Sequence, residues 1–491
     1  MNCSARASTR RPPSQNSVVS AHGRRLTFDV VLRKQHYIQA CAHLSIFLYW
    51  GWYWRTVYES AWLIVAQLLF AYAFDSLLGW WRRGTVTIGF GPFPIVFSTN
   101  LFLWFKPDWF YLQFAMIAVA FAAKEFIRWE RDGRRTHIFN PSAFTLTVFS
   151  VALLLTGTSD ITWGQEIAIT QFYPPHMYLF LFLVALPGQY LFGVTTMTMS
   201  AVVTTYVFGL MYYAFTGTYL FFDSYIPIAV FLGMHLLFTD PSTAPRTELG
   251  RMIFGALYGL STIALYVLLG LLGRPAFYDK LLQVPLLNLS IRAIDRFVRS
   301  DEVRRFDPGS IARSLAGRRR NLAYMSAWVI VFTIMSAVQG VGDRHPGQWI
   351  PFWQYACGQD RARACQYLAQ LHAVHCRAGS GWSCNELGIL QADKQVDHES
   401  AFASMERGCD LGFRPACTNA DEWPGTGSWA RDAPPIEDLP VLLRGSKGQI
   451  ADRSAVSLYA RACDQGWPDT CERIVSADER PIRRRPSGSQ H

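Results

Sequence analysis

Eight of the ten cysteines form four pairs, and in each pair seven residues separate the two cysteines. Paired cysteines act either as disulfides or as metal ligands, and zinc sites usually use a gap of two to four residues. The longer uniform gap therefore predicts disulfides, with zinc as the alternative. The predicted pairs are Cys357 with Cys365, Cys376 with Cys384, Cys409 with Cys417 and Cys463 with Cys471. The two remaining cysteines, Cys3 and Cys41, are predicted to be free thiols.

The residues around these cysteines predict short helices joined by tight turns. In the last three pairs a glycine lies three residues after the first cysteine, at Gly379, Gly412 and Gly466. A glycine just past a helix is a common stop signal, and the second cysteine then begins the next helix. Each disulfide would join two consecutive helices.

A second candidate for chemistry is a pair of turns whose Pro-Ser dipeptides lie 100 residues apart. Phe139-Asn140-Pro141-Ser142 recurs as Phe238-Thr239-Asp240-Pro241-Ser242. The recurrence predicts an internal duplication, and repeats of this kind in membrane proteins place ligand sites at their interface. Helix capping by Asn or Asp followed by Pro is the alternative. An inverted repeat would put the turns on opposite membrane faces, whereas counting the apolar runs as full crossings puts both on the cytoplasmic face.

Two apolar segments contain helix breakers. One opens with Ile88-Gly89-Phe90-Gly91-Pro92-Phe93-Pro94, and the other contains Pro187, Gly188 and Gly193. Non-helical backbone at membrane depth persists only where it is buried in protein or lines a cavity. Both segments are therefore predicted to be broken helices beside a binding site, with aromatic residues such as Phe192 available to stack on a ring.

Five ionisable residues lie in or near the apolar runs, where such groups are costly and often functional. Asp75 is expected at a helix end, and Lys124 and Glu125 are expected to pair at the cytoplasmic interface. His43 and His235 could serve as haem ligands, since neutral imidazole binds iron. Two isolated histidines give that interpretation little support.

The amino-acid composition indicates that membrane-spanning helices position most of these candidate residues. Of the 491 residues, 51% are apolar and 17% are charged, against about 25% charged in soluble domains, so a plain cytosolic enzyme is excluded. The net charge of +10 suggests nucleic acid, but the basic clusters flank the apolar runs, as membrane topology requires. Eleven runs approach the roughly 20 residues of a membrane span.

We therefore predict an all-α protein: a polytopic membrane helix bundle followed by a soluble helical domain. Lysine and arginine placement puts the N-terminus in the cytoplasm and the C-terminal domain outside it. The predicted parts are a disordered basic tail (1–35), ten membrane helices (36–296), a basic cytoplasmic linker (297–321), an extra membrane helix (322–339), a cysteine-rich domain (343–475) and a basic disordered tail (476–491).

The motifs at residues 137–144 (HIFNPSAF) and 239–251, with the segment 286–296, resemble a family of membrane proteins shared by two bacterial redox pumps. The pumps are the sodium-translocating NADH:quinone reductase and the Rnf electron-transport complex, and the family supplies a flavin-carrying membrane component to each. The resemblance covers about residues 30–300. It implies a ten-helix domain of the bacterial inner membrane, with flavin and quinone sites among the helices.

In that family a threonine within Ser-Gly-Ala-Thr carries FMN through a phosphoester bond. The matching segment is Phe192-Gly193-Val194-Thr195, so the resemblance implies FMN or riboflavin here, with quinone as a further ligand. Phe192, Val194 and Gln189 replace the Ser, the Ala and an upstream Asp of the attachment motif, which argues against the covalent bond. Hydroxyl back-bonding within a helix is then the expected role of Thr195 and Thr196. The cofactor-binding residues implied are Gly193, Thr195, Thr196, Asn140 and Asp240.

The cysteine-rich region, over roughly residues 350–475, resembles Sel1-like repeats, which are relatives of the tetratricopeptide repeat. The resemblance implies an α-solenoid whose concave surface docks a protein partner. Together the two resemblances imply an electron-transfer protein that binds flavin or quinone and docks a redox or envelope protein outside the cytoplasm. A non-redox scaffold or a small-solute transporter with the same fold is the alternative.

Overall fold

A computed structural model describes residues 16–19, 25–32, 34–131, 133–311, 317–339, 345–395, 397–423, 428–443 and 453–478. The chain divides into two compact units. The first unit comprises Met1–Tyr173, Met177–Thr205 and Ile228–Thr333, and the C-terminal unit comprises Pro174–His176, Tyr206–Pro227 and Ile334–His491. Cys3 and the predicted tail after residue 478 lie outside the described residues.

Helices dominate both units, which confirms the predicted helical class. The bounds up to the C-terminal domain are α1 Lys34–Tyr53, α2 Thr56–Glu59, α3 Ala61–Arg83, α4 Pro92–Asn100, α5 Tyr111–Phe126, α6 Pro141–Thr156, α7 Gly164–Thr170, α8 Met177–Phe192, α9 Thr195–Thr216, α10 Ile228–Leu232, α11 Glu248–Leu271, α12 Gln283–Val298, α13 Asp301–Arg304, α14 Pro308–Ile311 and α15 Gly317–Gln339. A π-helical turn, Gly233–Leu237, continues α10.

Four of these helices are long and apolar enough to cross a membrane: Ala61–Arg83, Thr195–Thr216, Glu248–Leu271 and Gly317–Val338. Three shorter apolar helices are Pro141–Thr156, Met177–Phe192 and Ile228–Leu237. The predicted extra span at 322–339 lies within α15, which begins earlier, at Gly317. The predicted linker 297–321 contains the short helices α13 and α14.

The strands correct the expectation of a purely helical chain. β2 (Arg25–Val31) pairs in parallel with β3 (Thr85–Gly89) and antiparallel with β1 (Asn16–Val19). The predicted disorder of the tail 1–35 is therefore wrong for β1 and β2. Apolar and β-branched residues in β2 and β3 favour the extended chain, and that signal is easily missed beside long apolar helices. A second sheet is the hairpin of β4 (Arg128–Arg131) and β5 (Arg134–His137).

The first of the two predicted helix breaks is also wrong. Ile88 and Gly89 end strand β3, and Pro92 begins the nine-residue helix α4. Proline suits the first turn of a helix because its missing N–H would be unbonded there anyway. Phe90 and Phe93 pack against each other, with ring centroids 5.4 Å apart. The segment 88–94 is thus a strand end and a helix start.

The C-terminal domain is built from short helices that follow one another along the chain. Their bounds are α16 Ile350–Gly358, α17 Ala364–Arg377, α18 Gly381–Leu390, α19 His398–Asp410, α20 Arg414–Asp421, α21 Leu439–Leu442, α22 Ala455–Asp464 and α23 Thr470–Asp478. The short turns between consecutive helices are the places where the cysteine pairs lie.

All four predicted cysteine pairs are disulfides, which confirms the interpretation of the spacing. Cys357 bonds to Cys365, Cys376 bonds to Cys384, Cys409 bonds to Cys417 and Cys463 bonds to Cys471. Each bond joins the end of one helix to the start of the next, as the glycine positions predicted. The remaining described cysteine, Cys41, is a free and exposed thiol.

Candidate functional site

The second predicted helix break is present only at its C-terminal end, at Gly193 and Val194, because Pro187 and Gly188 lie within the continuous helix α8. α8 continues through Pro187 to Phe192, and Gly193 then adopts a left-handed backbone conformation with φ +64°. A residue with a Cβ adopts this conformation at a cost, whereas glycine does so freely. α9 begins at Thr195. The break therefore separates two helices of 16 and 22 residues.

An ion pair from α11 occupies the break. Arg251 Nη1 donates to the Gly193 carbonyl (2.6 Å) and pairs with Glu248 Oε1 (2.7 Å). Thr196 Oγ1 donates to Glu248 Oε2 (2.8 Å), so a carboxylate lies in the first turn of α9. Carboxylates are favourable at a helix N-terminus because of the free N–H groups and the helix dipole.

The two repeated turns meet in the structure. Asn140 Oδ1 accepts from the Ala143 N–H and caps α6, and its Nδ2 donates to the Leu237 carbonyl (2.7 Å). Asp240 caps the 3-10 turn that follows and lies 2.9 Å from His137 Nε2. Both residues therefore act as helix caps, as the alternative interpretation predicted.

A buried ion pair between Arg131 and Asp295 joins strand β4 to helix α12. Arg131 Nη2 binds Asp295 Oδ2 at 2.6 Å and also donates to the Ala244 carbonyl at 3.0 Å. Arg131 is 6% exposed and Asp295 is 7% exposed. Removing one partner of a buried pair leaves an uncompensated charge, so such pairs fix geometry even where their net stabilisation is small. The hairpin β4–β5 is thereby held against α12.

A cavity lies beside the break. The cavity has a volume of about 10 Å³, which is close to what one water molecule needs. Its lining residues are Gln39, Ala42, Val184, Ala185, Gly188, Gln189, Phe192, Val194, His235, Leu236 and Thr239. They come from α1, from α8 and the break that follows it, from the π-helical turn and from Thr239 just after that turn. The cavity therefore lies between elements that are far apart in the sequence.

Two lining side chains present polar atoms without a hydrogen-bond partner among the described residues. Gln189 is 2% exposed, and both its amide oxygen and its amide nitrogen are unpaired. His235 is 1% exposed; its Nδ1 lies 2.7 Å from the Phe231 carbonyl and its Nε2 is unpaired. If Nδ1 donates to that carbonyl, Nε2 of the neutral ring is an acceptor. Buried polar atoms are rarely unpaired, so these atoms indicate a polar ligand or a bound water.

The backbone around His235 supports the same interpretation. His235 and Leu236 belong to the π-helical turn Gly233–Leu237. Single π-helical turns are rare, and they occur frequently at functional sites. A broken helix and a π-helical turn thus border the same cavity.

Thr195 lies at the start of α9, beside the break. It is 2% exposed and its Oγ1 has no partner among the described residues. Thr196 Oγ1 donates to Glu248. The predicted hydroxyl back-bonding is therefore wrong for both threonines.

Two of the other ionisable residues, Glu125 and His43, have structural partners. Glu125 pairs with Arg128 (2.6 Å) and Arg83 (3.3 Å), which confirms local pairing for Glu125. Asp75 lies inside α3 and not at its end, so that expectation is wrong. The nitrogens of His43 lie 2.6 Å from the Gln39 carbonyl and 3.0 Å from Ser98 Oγ. In the part of the chain that the structure describes, no three His, Cys, Asp or Glu residues are grouped to hold a metal ion.

Comparison with known proteins identifies no relative: no family model, no curated protein and no solved structure matches the chain. The site is therefore interpreted from its own geometry. Sequence reasoning placed Gly193, Thr195 and Thr196 at a helix break, and the structure agrees. It missed that Gln189 and His235 line one cavity, because no local pattern links residues on separate helices.

Proposed function

We propose that this chain is an integral membrane protein whose first unit binds and passes a small uncharged solute at the α8–α9 break. The observation that carries the proposal is the cavity with the unpaired polar atoms of Gln189 and His235. The amide offers a donor and an acceptor, and the imidazole offers an acceptor when Nδ1 holds the proton. A solute that binds these groups must itself have both hydrogen-bond donors and acceptors, and it must be small.

The charge of the lining favours a neutral solute over an ion. The lining residues are apolar, amide, hydroxyl or imidazole side chains. A desolvated ion without a counter-charge is very costly, whereas a neutral polar solute needs only hydrogen bonds. Glu248 and Arg251 lie nearby, but they are paired with each other.

We place this protein in the bacterial inner membrane, with residues 343–475 outside the cytoplasm. Four helices of spanning length and composition support the membrane location. Four disulfides support an oxidising compartment for the C-terminal domain, because cytosolic thiols are normally kept reduced. A membrane-impermeant protease added to spheroplasts is expected to remove this domain, and protection would contradict the placement.

The solute proposal is tested by flux into proteoliposomes, with water, formamide and glycerol as probes. Gln189→Leu is expected to reduce the flux of the transported probe at least about tenfold, since it removes both amide hydrogen bonds. Thr198→Val is the matched control, because Thr198 Oγ1 is also buried and unpaired but Thr198 does not line the cavity. Equal flux in protein-free liposomes, or an equal effect of both variants, would contradict the proposal.

The second candidate is an electron-transfer protein that binds flavin or quinone and docks a partner protein on residues 343–475. It is favoured by the two family-like turns, which Asn140 and Asp240 bring into one cluster. Its test is the absorption spectrum of the solubilised protein before and after acid precipitation. Flavin bands that remain in the pellet and disappear in Thr195→Ala would establish it over the solute proposal. Colourless protein from flavin-replete cells would reject the flavin form.

A further inference from the structure

The loop between α9 and α10, residues 217–227, is unusually buried for a connecting segment. Thr218 is 0% exposed, Tyr219 is 5% exposed and Leu220 is 3% exposed. Loops usually run over the surface because their backbone groups need water as a partner. This loop, which we call the α9–α10 loop, must therefore find its partners within the protein.

Those partners are side chains of the C-terminal domain. Three carbonyls of the α9–α10 loop accept hydrogen bonds from three separate positions in that domain. The bonds run from Arg361 Nη1 to the Gly217 carbonyl (2.9 Å), from Tyr367 Oη to the Leu220 carbonyl (2.7 Å) and from Gln348 Nε2 to the Asp223 carbonyl (2.8 Å). Since the bonds run to backbone atoms, they fix the course of the loop rather than the identity of its side chains.

An aromatic contact reinforces the bonds. The ring of His345, which is 0% exposed, packs against Tyr219 at 4.1 Å and against Tyr225 at 4.4 Å between centroids. The Gly347 N–H donates to His345 Nδ1 (3.1 Å). The loop is thus held by hydrogen bonds and by a buried aromatic cluster.

The first disulfide fixes the donors. Cys357–Cys365 joins α16 to α17, and Arg361 lies in the turn between them. Tyr367 follows in the first turns of α17. The position of both donors therefore depends on a covalent bond, which limits how far they can move while the loop stays bound.

One end of the loop continues through α10 to the π-helical turn that lines the cavity, and the other end continues through α9 to the break. α10 begins at Ile228, directly after Pro227, and runs into the π-helical turn with His235. On the other side, α9 leads back to Thr195 at the break. We propose that the C-terminal domain acts as a clamp on the α9–α10 loop and thereby sets the conformation of α9, which begins at the break, and of α10 with the π-helical turn that lines the cavity. The clamp rests on these contacts and not on the identity of the solute.

The test is hydrogen exchange of the full-length protein. The double variant Arg361→Gln with Tyr367→Phe removes two of the three bonds, and the control Tyr459→Phe with Arg461→Gln makes the same changes on α22. The clamp predicts exchange at least about tenfold faster in residues 217–227, together with faster exchange in 195–205 and 228–237. Helix α3 is expected to be unchanged, which separates release from general unfolding.

Unchanged exchange in 217–227 would overturn the clamp itself. Faster exchange in the loop with unchanged exchange in 195–205 and 228–237 would overturn the coupling to the helices. An equal response of the control would show that the effect is not specific to the loop and would also overturn the proposal. Because no readout involves a solute, failure of the solute proposal would leave each of these outcomes interpretable.

Discussion

The helix break in the first unit and the last three disulfide turns in the C-terminal unit are both built around a glycine in the left-handed conformation. At the turns, the glycine and the two cysteines lie within nine consecutive residues, and the disulfide closes the structure locally. At the break, Gly193 is joined by Arg251 and Glu248 from another helix, and the cavity beside it needs His235. Local chemistry thus builds the turns, whereas tertiary packing builds the candidate site.

In the C-terminal unit, the α9–α10 loop is held by tertiary contacts rather than by neighbouring residues. The pH dependence of its stability therefore tests the contrast between local turns and tertiary packing. Burial lowers the pKa of His345 from 6.5 to about 3, so the bound loop loses stability as pH falls from 6.5 towards 3. Burial raises the pKa of Asp223 from 3.8 to about 6, so the bound loop gains stability as pH falls from 6 towards 3.8. The two effects oppose each other in the shared window.

Asp223→Asn removes the compensating group. At pH 4.5 we expect the loop of this variant to be destabilised by about 3 kcal/mol relative to pH 7, at about 1.4 kcal/mol for each pH unit below 6.5. The wild type is expected to lose about 1 kcal/mol or less, because Asp223 offsets most of the change. Hydrogen exchange of residues 217–227, compared between variant and wild type at the same pH, measures the difference. Equal acid responses would mean that the loop does not report on these two groups.

Disulfide removal tests how local the turns are. Replacing both Cys409 and Cys417 with alanine opens a loop with a sequence separation of eight and is expected to cost about 2.5 kcal/mol through the entropy of the unfolded chain. We expect the loss of exchange protection to be confined to α19, α20 and their immediate neighbour α18. If protection also fell in α22 and α23, the turns would be coupled, and the contrast with the break would disappear.

A substitution at the glycine of one turn also tests whether the turn depends only on its own residues. Gly412 has φ +84°, and a Cβ built on it would meet nothing within 4 Å. Gly412→Ala should therefore destabilise the turn by about 1–2 kcal/mol through backbone strain alone. At the matching position of the first pair, Asp360 has φ 50°, so Asp360→Gly is expected to relieve strain. Opposite signs in denaturant unfolding of the two variants check the explanation.

The smallest expected change in stability comes from Gln189→Leu, which tests the cavity beside the break. The unpaired amide indicates a bound water or solute, and leucine can hydrogen-bond neither. We therefore expect Gln189→Leu to destabilise the first unit by about 1 kcal/mol. Thermal unfolding in detergent measures this change. Stabilisation instead would show that the amide is unsatisfied in the native protein.

The sequence was informative where a feature depends on neighbouring residues. The constant cysteine spacing predicted all four disulfides, and glycine placement predicted the turns between helices. The pairing of β2 with β3 could not be predicted, because it joins segments separated by two long apolar helices. The cavity could not be predicted either, since Gln189 and His235 become neighbours only after α8 and α10 pack together. For the turns at Asn140 and Asp240, the sequence predicted that each residue caps a helix. It did not predict that the two turns lie close together.

The disulfide pattern also has a consequence for biogenesis. Eight cysteines allow 105 pairings, yet each cysteine of the C-terminal domain bonds to its nearest neighbour along the chain, at a separation of eight. If the C-terminal domain is exported as proposed, the pair ending at Cys384 emerges complete before Cys409 appears, and the pair ending at Cys417 is complete before Cys471 does. An oxidase that acts on cysteines in order of appearance produces the native set, so disulfide isomerases have little scrambling to correct.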